Sequence, residues 1–164
     1  MKKWGVPLIL ALVVVTGALA LLTSRQPAPK AEFTLLSGDR LALDSLRGKV
    51  VLVNFWATSC PGCIHEMPSL VATHEKYHDK GLETVAVAMS YDPPDYVRTF
   101  AARQGLPFKV ALDVNGAAAA AFGNVRLTPT TFVISRDGFI LQRYTGEPDF
   151  TQLQQLVEKA LQGA

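Results

Sequence analysis

Apolar and polar positions change rhythm several times along this chain, and each change predicts an element. Residues 4–24 (WGVPLILALVVVTGALALLTS) contain no charged side chain. As a helix rising 1.5 Å per residue they would reach about 31 Å, close to the ~30 Å hydrocarbon core of a bilayer, so a membrane-spanning helix is expected. Residues 23–31 (TSRQPAPKA) are polar and proline-bearing, the composition of a spacer. Beyond them, residues 33–36 and 40–43 flank Ser37-Gly38-Asp39 and predict a β-hairpin. The run VVLVNFW at residues 50–56 is nearly continuously apolar and rich in β-branched and aromatic side chains, which suits a central strand covered on both faces. A helix over 61–79 and a strand over 83–89 follow. Asp92-Pro93-Pro94 predicts a helix start, with Asp92 as cap and Pro94 in the first helical position. Then come a strand at 108–112, a short alanine helix at 117–121, two strands at 130–135 and 139–145 around Asp137-Gly138, and a last helix over 149–161. The alternation predicts an α/β fold, a mixed central sheet flanked by helices on both faces. The expected organisation is an anchor at 1–24, a linker at 25–31 and a domain at 32–164.

Charge sharpens that picture. Of the 16 Lys and Arg residues, Lys2, Lys3, Arg25 and Lys30 precede residue 31, so twelve bases face all 14 acids in the remainder. A slightly acidic domain lacks the concentrated basic face that nucleic acid requires, so no nucleic-acid partner is expected. Lys2 and Lys3 before the apolar run hold the N-terminus in the cytoplasm by the positive-inside rule, which places the domain outside it. A cleaved signal peptide at Ala18-Leu19-Ala20 is the competing reading and leads to the same compartment.

The chain has two cysteines, in Cys60-Pro61-Gly62-Cys63, where the central strand ends and a helix begins. That context reads as a redox dithiol. A structural disulfide closing so short a loop would contribute only about 2 kcal/mol. A structural zinc site needs four ligands, and no further cysteine exists. A Cu(I)-binding thiolate pair, with His65 nearby, stays open as a metallochaperone reading. With Pro61 in the first helical position, Cys60 becomes the N-cap and its sulfur faces the free N–H groups of Gly62 and Cys63. The helix dipole then favours the Cys60 thiolate as nucleophile. Cys63, one turn further on, is placed to resolve a mixed disulfide after losing its proton. Glu66, three residues beyond, is the candidate proton acceptor and tuner of that thiol.

The stretch GKVVLVNFWATSCPGCIHEMP, residues 48–68, resembles the TlpA/ResA/DsbE group of membrane-anchored, thioredoxin-like thiol-disulfide oxidoreductases. The likeness runs from about residue 33 to the C-terminus. It implies a thioredoxin-like fold with an N-terminal hairpin and an inserted strand and helix at 83–104. It also implies a redox-active disulfide between Cys60 and Cys63, a glutamate at Glu66 that tunes the thiols, and a cis peptide before Pro129 beside the dithiol. Thr128, Pro129 and Trp56 are then the residues expected to meet substrate. Further implications are exported disulfide-bearing clients, a membrane electron donor of the DsbD/CcdA type, no dissolved cofactor or metal, and a single-pass protein of the bacterial inner membrane with its domain in the periplasm. Three positions depart from the pattern. Asn54 stands where thioredoxin carries a buried aspartate, Ser59 replaces a tryptophan, and Pro61-Gly62 lacks the histidine of strongly oxidising relatives, which favours a reductant over a disulfide-donating oxidant. The glycine-rich segment with a glutamate that marks the cytochrome c maturation branch is absent, because Thr130 follows Pro129.

His74-Glu75-Lys76-Tyr77-His78 matches the HExxH zinc-protease pattern. No histidine follows His78, so the expected reading is a solvated helix face. His65 reads as a surface neighbour that tunes local charge.

Overall fold

The computed structural model describes residues 26–163. The expected anchor lies outside the described residues, and no described helix is long and apolar enough to cross a membrane. The elements in chain order are β1 (Gln26–Pro27), β2 (Glu32–Leu35), β3 (Arg40–Ala42), β4 (Val50–Trp56), α1 (Pro61–Tyr77), β5 (Leu82–Ala88), α2 (Pro94–Gln104), β6 (Lys109–Leu112), α3 (Ala117–Ala121), β7 (Thr130–Ile134), β8 (Phe139–Thr145) and α4 (Phe150–Leu161). Short 3-10 turns cover Leu43–Leu46 and His78–Lys80.

All eight strands join one mixed sheet in the order β1-β8-β7-β4-β5-β6-β2-β3. β4 pairs parallel with β5 and antiparallel with β7, which puts VVLVNFW at the middle with every residue buried. Its period of two divides the core. Val51, Val53 and Phe55 pack with Phe33, Phe122, Phe132 and the Leu43–Leu46 turn. Val50, Leu52 and Trp56 face Cys63, Met67 and Leu70 of α1, Val97 of α2, and Leu153 and Val157 of α4. The longer helices thus cover one face, while α3 and a 3-10 turn close the other.

Local chemistry explains most boundaries. Asp149 caps α4 by accepting from the amides of Thr151 and Gln152 at 2.8 and 3.1 Å. Gly81, at φ 104°, turns the chain from the His78–Lys80 turn into β5.

The structure corrects two expectations. Asp92 does not cap α2: Pro93 is the N-cap, without a side-chain bond, while Pro94 does take the first helical position. The Asp92 carboxylate is turned back towards Thr58 instead. The expected linker is also partly built into the fold, because Gln26 and Pro27 pair with Ile140 and Phe139 of β8. A proline is tolerated on such an edge strand, where its missing N–H leaves no central ladder bond unmade.

Candidate redox site

The site grows from the end of β4. Cys60 is the N-cap of α1 in an extended conformation, Pro61 follows at the helix start, and the Cys63 amide donates to the Cys60 sulfur at 3.2 Å. Of the two amides expected to face that sulfur, the Cys63 N–H is the one that engages it. The Cys60 amide donates to Ala57 O at 3.1 Å, closing the turn that carries the sulfur. Cys60 and Cys63 form a disulfide, with Cα atoms 5.3 Å apart. Their exposures differ: Cys60 is half-buried and Cys63 fully buried, so an incoming sulfur reaches Cys60 first.

The peptide between Thr128 and Pro129 is cis. Pro129 lies against the dithiol turn, since a Cβ placed on Gly62 would sit 3.6 Å from Pro129 Cδ. Pro129 is buried and its carbonyl accepts from the Gly146 amide at 2.8 Å, while half-buried Thr128 meets the Tyr91 hydroxyl through its own Oγ1 at 3.3 Å.

Glu66 is 1% exposed, on the same buried face of α1 as Cys63. Asn54 Nδ2 donates to Glu66 Oε1 at 2.8 Å and to Thr131 Oγ1 at 2.9 Å. Glu66 Oε2 and Asn54 Oδ1 have no hydrogen-bond partner. Burial pushes the Glu66 carboxyl up to about 7; the Asn54 amide offsets part of that rise and the charge of Glu147 adds to it. A carboxyl that titrates near neutral pH, one helical turn from a buried thiol, can take that thiol's proton and return it.

Other expected residues fall elsewhere. Trp56 does not meet substrate, because it is fully buried and packs on Phe100 with ring centroids 5.2 Å apart. It belongs to a central strand covered on both faces, and so has no surface to offer a client. His65 is exposed and its Nδ1 pairs with Glu147 Oε2 at 3.0 Å. His74 is not on a solvated face: it is 3% exposed, its Nδ1 lies 3.1 Å from Thr84 Oγ1, and its ring meets Phe108. One nitrogen each from His74 and His78 and a carboxylate oxygen of Glu83 lie within 4.8 Å of one another, without Glu75. Glu83 is committed to Lys109 at 2.7 Å and Lys49 at 3.5 Å, so this cluster already carries excess positive charge and disfavours a divalent cation. One contact beside the dithiol escaped the sequence reading. Asp92 binds the turn before Cys60, and the Asp-Pro-Pro signal pointed only to a helix start.

The Redoxin family profile matches residues 23–157. The protein belongs to the Redoxin family. Among curated relatives, the thiol-disulfide oxidoreductase ResA of Bacillus thuringiensis subsp. konkukian is 36% identical over 133 residues, covering 80% of this chain and 75% of its own. The thioredoxin-like protein YneN of Bacillus subtilis is 34% identical over 135 residues, covering 81% and 78%. Among solved structures, a candidate thioredoxin from Neisseria meningitidis superposes with TM-score 0.78 at 39% identity, covering 86% of this chain and 93% of its own. A candidate thiol:disulfide interchange protein DsbE from Chlorobium tepidum gives 0.77 at 30%, covering 84% and 96%. This redoxin therefore has the thioredoxin-like fold and is a thiol-disulfide oxidoreductase of the TlpA/ResA/DsbE kind, with Cys60 and Cys63 as its dithiol.

Proposed function

We propose that the protein works as a reductant of disulfides in exported proteins, tethered to the bacterial inner membrane by residues 4–24 with its domain in the periplasm. One observation carries the chemistry: a half-buried Cys60 at the helix N-terminus stands above a buried Cys63 whose neighbour Glu66 titrates near 7. In the reduced protein, the Cys60 thiolate attacks one sulfur of a client disulfide, and the second client sulfur leaves as a thiolate. Cys63 passes its proton to the Glu66 carboxylate and attacks the Cys60 sulfur. The first client sulfur is released, the client gains two electrons, and Cys60–Cys63 closes as the disulfide. Pro129 lies against Gly62 in the dithiol turn, and an extended client segment would lie beside Thr128 and Pro129 as an added strand. A dithiol donor in the membrane, of the DsbD/CcdA type, restores the reduced pair.

Support for the direction comes from Pro61-Gly62, which lacks a histidine between the cysteines. Support for the location comes from Lys2 and Lys3 ahead of an uncharged 21-residue run, long enough for a bilayer. The test is the reduction potential of the Cys60–Cys63 couple in a chain of residues 26–164, equilibrated in defined thiol-disulfide buffers. A value near or below about −250 mV fits a reductant, and one near about −120 mV makes the protein a disulfide donor.

A further inference from the structure

Asp92 stands where β5 hands over to α2 and is 4% exposed. Its Oδ2 accepts from the Thr58 amide at 2.6 Å and its Oδ1 from the Thr58 hydroxyl at 2.6 Å. Thr58 is two residues ahead of Cys60, inside the turn closed by Cys60 N–H to Ala57 O. On the other side the Asp92 amide donates to Met89 O at 3.0 Å, and the Met89 amide donates to Trp56 O at 3.0 Å. One buried carboxylate therefore ties the inserted strand and helix to the turn that presents the reactive sulfur. Burying a carboxylate is costly, and spending both its oxygens on a single residue fixes that residue closely. The packing of α2 does not require this, since Pro93 and Pro94 already set the helix start.

We propose that Asp92 is a positioning residue for the dithiol: its grip on Thr58 holds Cys60 over the first turn of α1 and so favours the closed Cys60–Cys63 disulfide over the open dithiol. The inference rests on the thiol-disulfide reading above. Two effects act in the same direction. A fixed turn raises the effective concentration of one sulfur at the other, which strengthens the internal disulfide. A carboxylate bound to Thr58, which lies two residues ahead of Cys60, also works against the thiolate that only the reduced form can carry. Both make the wild-type pair a stronger reductant than it would be without Asp92.

The experiment equilibrates the full-length chain in detergent with glutathione and counts free thiols after acid quench and alkylation. In this exchange the dithiol gives two electrons and two protons to glutathione disulfide, which leaves as two glutathione thiols. Asp92→Asn should move the equilibrium towards the dithiol by about tenfold, equivalent to ~30 mV for a two-electron couple. Thr58→Val, which keeps the carboxylate and removes one bond, should move it the same way by a smaller factor. Melting temperatures of the oxidised forms are taken alongside. An equilibrium unchanged in both variants, even with lowered melting temperatures, would make Asp92 purely architectural and overturn the proposal, as would a shift towards the disulfide. If Asp92→Asn fails to fold, Thr58→Val alone decides by the same criterion. A wild-type chain that shows no two-electron exchange with glutathione would instead sink the underlying redox reading.

Discussion

Glu66 is a buried acid held by one amide donor. The carboxyl is buried on the inner face of α1, and the amide of Asn54 is the donor that holds it. An amide cannot take a proton, so in the proposed mechanism the acid–base work that a buried acid at position 54 would share is assigned to Glu66 alone. Burial raises its pKa from 4.5 to about 7, which gives stability a definite pH dependence. Between those values the folded protein holds a proton that the unfolded chain has released, so stability falls as pH rises and levels off above about 7. The full effect is about 3 kcal/mol, at 1.36 kcal/mol per unit. Glu66→Gln keeps an acceptor for Asn54 and removes the titration. Urea unfolding of both proteins across pH 5 to 8 should show this variant gaining on the wild type as pH rises. Parallel profiles would mean that Glu66 titrates with an ordinary pKa.

At the level of elements, the dithiol depends on how α1 begins and ends. Cys60, Pro61 and Gly62 start the helix, and Gly81 stops the chain beyond it in a left-handed conformation. The two glycines should answer substitution differently. Gly62 has no positive φ, and an added methyl would meet Pro129 Cδ at an ordinary 3.6 Å, so Gly62→Ala should leave stability unchanged or raise it by up to about 1 kcal/mol. Gly81→Ala forces an L side chain to φ 104° and should cost about 1–2 kcal/mol. Thermal or urea unfolding of the pair checks this, and equal losses would contradict it. The inserted segment from β5 to α2 has its own link to the site. Its junction residue Asp92 reaches Thr58, so the β5–α2 connection supports the reactive turn.

Across the whole molecule, the sheet extends from the hairpin β2–β3 at one edge to the two residues of β1 at the other. β1 and the residues after it supply the pairing with β8, the Ala28 amide to Gly138 O at 2.8 Å, and Ala31 O to the Leu43 amide at 2.9 Å. A chain beginning at residue 32 should therefore be less stable than one beginning at 26 by about 1.5–4.5 kcal/mol, at 0.5–1.5 kcal/mol for each of at least three lost bonds. It should also aggregate more readily through the bared edge of β8. Equal midpoints in urea would show that β1 adds nothing. Much of this architecture is legible in the sequence. Period-two and continuous apolar runs locate all the strands beyond residue 31 within a residue or two, and proline, glycine and alanine place the helix limits, because these signals act over a few neighbouring residues. The same locality makes the Cys60 N-cap readable from Pro61 alone. What is not legible depends on residues far apart in the chain. Trp56 reads as a motif residue and is core, because α2 covers it with Phe100. His74 reads as solvated and is buried against Thr84 and Phe108. Asp92 reads as a cap and instead binds Thr58, 34 positions away. Beyond residue 31, the strands, the helices and the dithiol follow from short-range sterics and periodicity, whereas β1 does not. Which acids are buried and what they bind, and which aromatics face inward, depend on desolvation and hydrogen bonding that exist only once distant segments have met.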